Sequence, residues 1–175
     1  MQADASKLPD QERSDLLETL AKHRYFLRLT VQGINDAQAA EHPTVSELCL
    51  GGLIKHVAAV ESGWVDFILD GPQALSQRTD ESSISAWLTR FQMLPDDTLS
   101  GLLETYEQVA ARTDAVVTQL VNLDDGHALP EAPWFEKGAR WSARRVILHI
   151  IAETSQHAGH ADILRESIDG AKSMG

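Results

Sequence analysis

The chain has 175 residues, 43% of them hydrophobic and 23% charged, with a formal net charge of -11. That length favours one domain, residues 1–175, with a sizeable core. The negative charge leaves no basic face that could follow phosphates, so nucleic acid and an anionic membrane surface are both disfavoured as partners. No charged segment followed by an apolar one opens the chain, no run of about 18 apolar residues occurs, and the single Cys49 has no partner for an internal disulfide. The expected location is the cytoplasm.

The residues to about Leu8 are polar and are expected to be disordered. From Asp10, the spacing of Leu16, Leu20, His23, Leu27, Val31 and Ile34 predicts a first bundle helix that stops at Asn35-Asp36. His23 reads as a histidine at the core edge. Residues 36–47 carry loop signals, among them His42-Pro43, with Ser46 or Thr44 available to cap the next helix. A second helix is predicted from about Glu47 to Leu69, its apolar face running Leu50, Leu53, Ile54, Val57, Val60, Trp64, Phe67, Ile68, and Asp70-Gly71-Pro72 ends it. His56 interrupts that face.

A polar, serine-rich connection follows from Gly71 to Asp97, with a short amphipathic piece at Ile84–Phe91 anchored by Trp87. A connection of this length can cross a whole bundle, so the second and third helices are free to run parallel. The third helix is predicted from about Asp97 to Val121, on the regular stripe Leu99, Leu102, Tyr106, Val109, Thr113, Val116, Val117, Leu120, and reads as scaffold. Residues 122–140 read as an irregular loop in which Trp134 and Phe135 either cover a pocket mouth or seal the bundle end, and His127 is exposed.

The last helix, Trp141–Ile168, carries the unusual signal. Its inward stripe is Val146, His149, Ile150, Glu153, His157, His160 and Leu164, so a carboxylate flanked by imidazoles replaces aliphatic side chains over two turns. Desolvating such groups is costly unless something satisfies them, and a divalent metal does so most simply. His149 and His157 stand about 12 Å apart along the axis, too far to share one ion at bond lengths of about 2 Å. The candidate pairs are His149 with Glu153, Glu153 with His157, and His157 with His160, each needing a ligand from another helix. That need turns His56 from a core histidine into a candidate ligand.

The segments GGLIKHVAAVESGWVDFILDG (Gly51–Gly71) and RWSARRVILHIIAETSQHAGHADILRESIDG (Arg140–Gly170) resemble the DinB/YfiT-like metal-binding four-helix-bundle superfamily, and within it the mycothiol S-transferase (mini-circle protein) branch. With the pattern of the first helix, the resemblance covers nearly the whole chain. It implies an all-α, up-down-down-up four-helix bundle with a long connection between helices 2 and 3. It also implies a metal held by His56, Glu153 and His157. Many superfamily members carry histidine where Glu153 stands, and the carboxylate is similar to the mycothiol-dependent maleylpyruvate isomerases, where the ion is zinc. Zinc is therefore the expected ion, with nickel or another divalent metal as the alternative. His149 and His160 are then expected as the remaining catalytic-site residues, orienting Glu153 or a bound water.

Two neutral imidazoles and one carboxylate leave a divalent ion with net positive charge and an open position. A thiol bound there is deprotonated, and a water is made acidic. The expected function is thus a metal-dependent S-transferase joining a low-molecular-weight thiol such as mycothiol to an electrophilic small molecule. A metal-dependent hydrolase and a non-catalytic, stress-related metal-binding protein are the alternatives, and a homodimer is left open.

Overall fold

A computed structural model describes residues 8–75, 85 and 88–173. Four long helices dominate it: α1 (Leu8–Leu29), α2 (Leu50–Asp70), α3 (Leu99–Gln119) and α4 (Ala143–Asp169). Residue pairs between the helices give their directions. Arg144 bonds Glu12 near the start of α1, whereas Arg165 donates to the carbonyls of Thr30 and Gln32 just past its end, at 2.9 and 2.8 Å, so α1 and α4 run parallel. Lys55–Asp97 (2.8 Å) and Asp66–Arg112 (2.5 Å) likewise make α2 and α3 parallel. Between α1 and α3 the order reverses: Arg13 donates to the Leu120 carbonyl and Arg28 pairs with Glu107, both at 2.6 Å. The bundle is therefore up-down-down-up, as expected, and the connection between α2 and α3 crosses its full length. Of the expected amphipathic piece at Ile84–Phe91, Ile84, Ala86 and the anchor Trp87 lie outside the described residues, as do residues 1–7.

Several boundaries depart from the sequence pattern for local reasons. Helix α1 stops at Leu29, and Val31 is buried from the turn beyond it, which passes through Gly33 at φ 77°. A single helical turn, Asp36–Ala39, stands where only loop was expected, closed by a capping box of Asn35 and Gln38. Helix α2 begins three residues late because Cys49 caps it, the thiol sulfur accepting from Gly52 N at 3.3 Å; Thr44 and Ser46 instead hold the preceding turn. Thr98 and Ser142 cap α3 and α4 through their hydroxyls.

Residues 122–140 correct the expectation of an irregular loop. Gly126–Ala128 (β1) pairs antiparallel with Arg140–Ser142 (β2), with His127 opposite Trp141. Trp141 is therefore a strand residue, and α4 starts two residues after it. His127 is half-buried rather than exposed: its Nε2 lies 3.2 Å from the Ile68 carbonyl and its ring packs edge-on to Phe67. Its ring also fills the space beside Gly71, which ends α2 at φ 83°, a conformation that favours glycine.

The core runs the length of the bundle through Leu20, Leu27, Leu50, Leu53, Ile54, Val57, Phe67, Tyr106, Val117, Ile147 and Ile150, each essentially inaccessible to solvent. One ion pair interrupts it. The Arg24 guanidinium forks onto both carboxylate oxygens of Glu61, their side chains 4% and 0% exposed, and reaches Asp114 at 2.8 Å with its remaining arm. Such a pair contributes little net stability but is costly to break. Among the described residues no helix is long and apolar enough to cross a membrane.

Candidate metal centre

Along α4, Arg145, His149, Glu153 and His157 recur every four residues and so lie on one face. Helix α2 runs antiparallel across that face, setting Trp64 against His149 and His56 against His157, in both cases edge-on with ring centroids 4.8 Å apart. One donor atom each of His56, Glu153 and His157 lies within 4.8 Å of the other two, the one such metal-capable group of three among the described residues.

Protonation suits these residues to a cation. Burial, then the charges of His157 and Arg90, push the His56 imidazole down to about 4. Burial, then His160, lowers His157 as well. Both rings are therefore neutral near pH 7 and keep a lone pair to offer. Three donors on one ion at bonds of about 2.1 Å stand about 3.4 Å apart, so donor atoms already within 4.8 Å of one another would have to close by at most about 1.4 Å. The donor set of two neutral imidazoles and one carboxylate fits a divalent ion with an open position.

All three pairs that the spacing on α4 left open are in fact close. His149 Nε2 is 3.8 Å and His157 Nε2 3.6 Å from Glu153, and His160 Nδ1 is 3.4 Å from His157 Nδ1. The arrival of His56 beside Glu153 and His157 distinguishes that pair from the other two. His157 thus turns Nε2 toward the carboxylate and Nδ1 toward His160, the disposition in which an outer partner orients a ligand ring. His149 sits on the other side of Glu153, its ring edge-on to both Trp64 (4.8 Å) and Trp141 (5.1 Å), which stack on each other at 4.8 Å and 16°. Burial lowers its pKa, opposed by the charge of Glu153 and assisted by Arg145.

Several neighbours carry no periodic signal that would mark them. Phe91, from the connection after α2, covers His56 at 4.2 Å and lies 6.0 Å from His157. Phe135 packs against Trp64 and Trp141 and so belongs beside the site, while Trp134 is 66% exposed and seals nothing. A surface cavity of about 410 Å³ between Leu129 and Gly138 shares Phe135 but includes none of the histidines. His23 is half-buried on α1 and joins no metal-capable group among the described residues.

The fold and the site together define an all-α bundle with a His, Glu, His cluster set between its antiparallel second and fourth helices. A family model described as mycothiol-S-transferase matches residues 15–170, and the chain belongs to that family. The branch expected from the two motifs is the one matched. No curated protein matches the chain. Among solved structures it is similar to a conserved protein from Enterococcus faecalis, with 15% identity and a TM-score of 0.57 over 90% of this chain and 97% of that one, a likeness of fold.

Proposed function

We propose that the protein is a metal-dependent thiol S-transferase, most simply a zinc enzyme, that joins mycothiol to an electrophilic small molecule. The observation that carries this is the convergence of His56, Glu153 and His157 from two helices, in a chain whose family is that of mycothiol-S-transferases. These three residues would hold the ion. A bound divalent ion would supply the positive charge that keeps a thiol deprotonated near neutral pH. In the reaction the thiol gives up its proton and the sulfur forms a bond to the electrophilic carbon; a leaving group then departs with the bonding pair, or, at an activated alkene, the π pair moves to the neighbouring carbon and takes up the proton.

The remaining residues support that chemistry. His149, kept neutral by burial, has a free ring nitrogen to take the thiol proton, and the two tryptophans fix its ring beside the carboxylate. His160 holds the His157 ring in orientation through the Nδ1 contact. The thiol must come from outside, because Cys49 is buried and serves as the cap of α2. A free buried cysteine also suits a reducing compartment, and we place the reaction in the cytoplasm.

The test compares metal-depleted and zinc-reconstituted protein across mycothiol, bacillithiol and glutathione with a panel of alkyl halides and activated alkenes. The expected result is zinc-dependent transfer, fastest with mycothiol. Zinc-dependent hydrolysis of esters or amides without transfer would replace this reading with a hydrolase, and silence in both assays would leave a non-catalytic metal-binding protein.

A further inference from the structure

The outward face of α4 is unpartnered among the described residues and carries no charge over most of its length. Between Arg145 and Glu166 the exposed residues of this helix are Leu148, Ala152, Gln156, Gly159 and Ile163, all on the side opposite the buried Ile150 and Ala161. We propose that two copies of this chain pair through that face, α4 against α4 and antiparallel, about a two-fold axis level with Ser155 and Gln156.

The outward face of a bundle helix is ordinarily charged, and α1 shows Asp15, Glu18 and Lys22 there, α3 Glu104 and Arg112. On α4, Leu148 and Ile163 are instead 46% and 61% exposed. Gly159 lies well inside the helix, where glycine is unfavourable, yet a β-carbon built on it meets nothing within 4 Å, so no close approach among the described residues accounts for it. A second helix does account for it, because Gly159 and Ala152 let two backbones come close. Steps of three and four residues along the face are those of a left-handed helix pair. The order of the residues identifies the occupant, since the face read backwards repeats its own chemistry. In an antiparallel pair Leu148 meets Ile163, Ala152 meets Gly159, and the two Gln156 amides can bond each other at the axis. At both ends Arg145 meets Glu166 of the partner subunit. Within its own chain Arg145 rests on Trp141 at 4.2 Å, and Glu166 pairs with Lys172 at 2.9 Å, an exposed pair that can share its carboxylate with a guanidinium. A parallel pairing would set each of these charges against its own kind. Chains that carry -11 repel one another, so association needs a face on which like charges do not meet, and this one meets that condition.

Sedimentation velocity of the full chain at concentrations up to about 100 µM tests the pairing, with circular dichroism of every variant to confirm folding. Wild type should sediment as a concentration-dependent dimer of 19.2 kDa chains. Ile163→Glu, at an exposed position, should keep the helical spectrum and raise the dimer dissociation constant at least about tenfold. Gly159→Leu, whose β-carbon has open space in the single chain, should fold at least as well as wild type and remain monomeric. Arg145→Glu and Glu166→Arg should each weaken self-association about tenfold, and mixing the two variants should restore it, because each reversed charge then meets its opposite across the interface. Wild type that stays monomeric at about 100 µM overturns the proposal and leaves the face to a different protein. A dimer untouched by Ile163→Glu and Gly159→Leu, or charge reversals that mixing does not rescue, overturns it as well.

Discussion

Gly52 provides a sharp test of how the site is assembled, because at this position α2 meets the connection that carries Phe91. A β-carbon built on Gly52 falls 1.8 Å from the Phe91 carbonyl oxygen and 2.3 Å from its carbonyl carbon, so Gly52→Ala drives backbone against backbone. Restoring an ordinary contact of 3.4 Å requires the Phe91 carbonyl to retreat by about 1.6 Å. Overpacking of this kind costs about 1 to 3 kcal/mol or more, and the better helix propensity of alanine offsets at most about 1 kcal/mol of it. For a chain of this size each kcal/mol moves Tm by about 2 to 4 °C, so the upper end of that cost less the full offset, about 2 kcal/mol, places the fall at roughly 4 to 8 °C. Gly51→Ala is the matched control, since its β-carbon meets the sulfur of Met93 at 2.6 Å, the movable part of a flexible side chain, and the net effect should be close to zero. Thermal and urea denaturation of the two variants measure the difference. Equal Tm values for Gly51→Ala and Gly52→Ala would refute the close approach. The retreat of Phe91 from His56 should also weaken metal binding in Gly52→Ala alone.

Two further perturbations probe the polar contacts that hold the helices in place. Glu61→Gln removes one charge of the buried pair with Arg24 and should destabilise the fold by about 3 kcal/mol, while Arg24→Met combined with Glu61→Leu should recover most of that loss; a Glu61→Gln variant as stable as wild type in urea contradicts the pairing. At Asp97, burial raises the pKa but hydrogen bonds from Lys55 and Leu94 N outweigh it and hold the carboxyl below its ordinary 3.8. Its contribution to stability is complete above that ordinary value and is lost as pH falls through the lower folded value, so the acid limb of Tm against pH below about 4 should be shallower in Asp97→Asn. Parallel acid limbs in the two proteins would show that Asp97 contributes nothing.

What the sequence made legible depended on signals that repeat. The stripes on α2, α3 and α4 extend over five or more turns, so the helices could be read directly, whereas the long connection only allowed the parallel pairing that the resemblance implied. The hairpin could not, because strands of three residues hold too few positions for alternation to show. Trp141 was drawn into the last helix by that helix's own periodicity, although Ser142 caps it one residue later. The carboxylate on α4 stood out because no aliphatic helix face tolerates it unpaired, but three neighbouring pairs shared the same spacing. Only the crossing of α2, which sets His56 beside His157, separates them. Arg24 and Glu61 escaped notice for the opposite reason: each is a single charge in an apolar stripe, and its partner is 37 residues away. Phe91 and Arg90 reach the site from a connection, where no period ties a residue to a face.

The account stands most directly on which residues hold the ion. Purified wild type, His56→Ala and His149→Ala should be loaded with zinc, desalted and measured for metal by elemental analysis, with circular dichroism to confirm folding. The geometry predicts about one ion per chain in wild type and in His149→Ala, and almost none in His56→Ala, because among the described residues only His56 joins Glu153 and His157 from a second helix. Metal retained by His56→Ala and lost by His149→Ala would contradict the proposed centre and place the ion one turn earlier on α4.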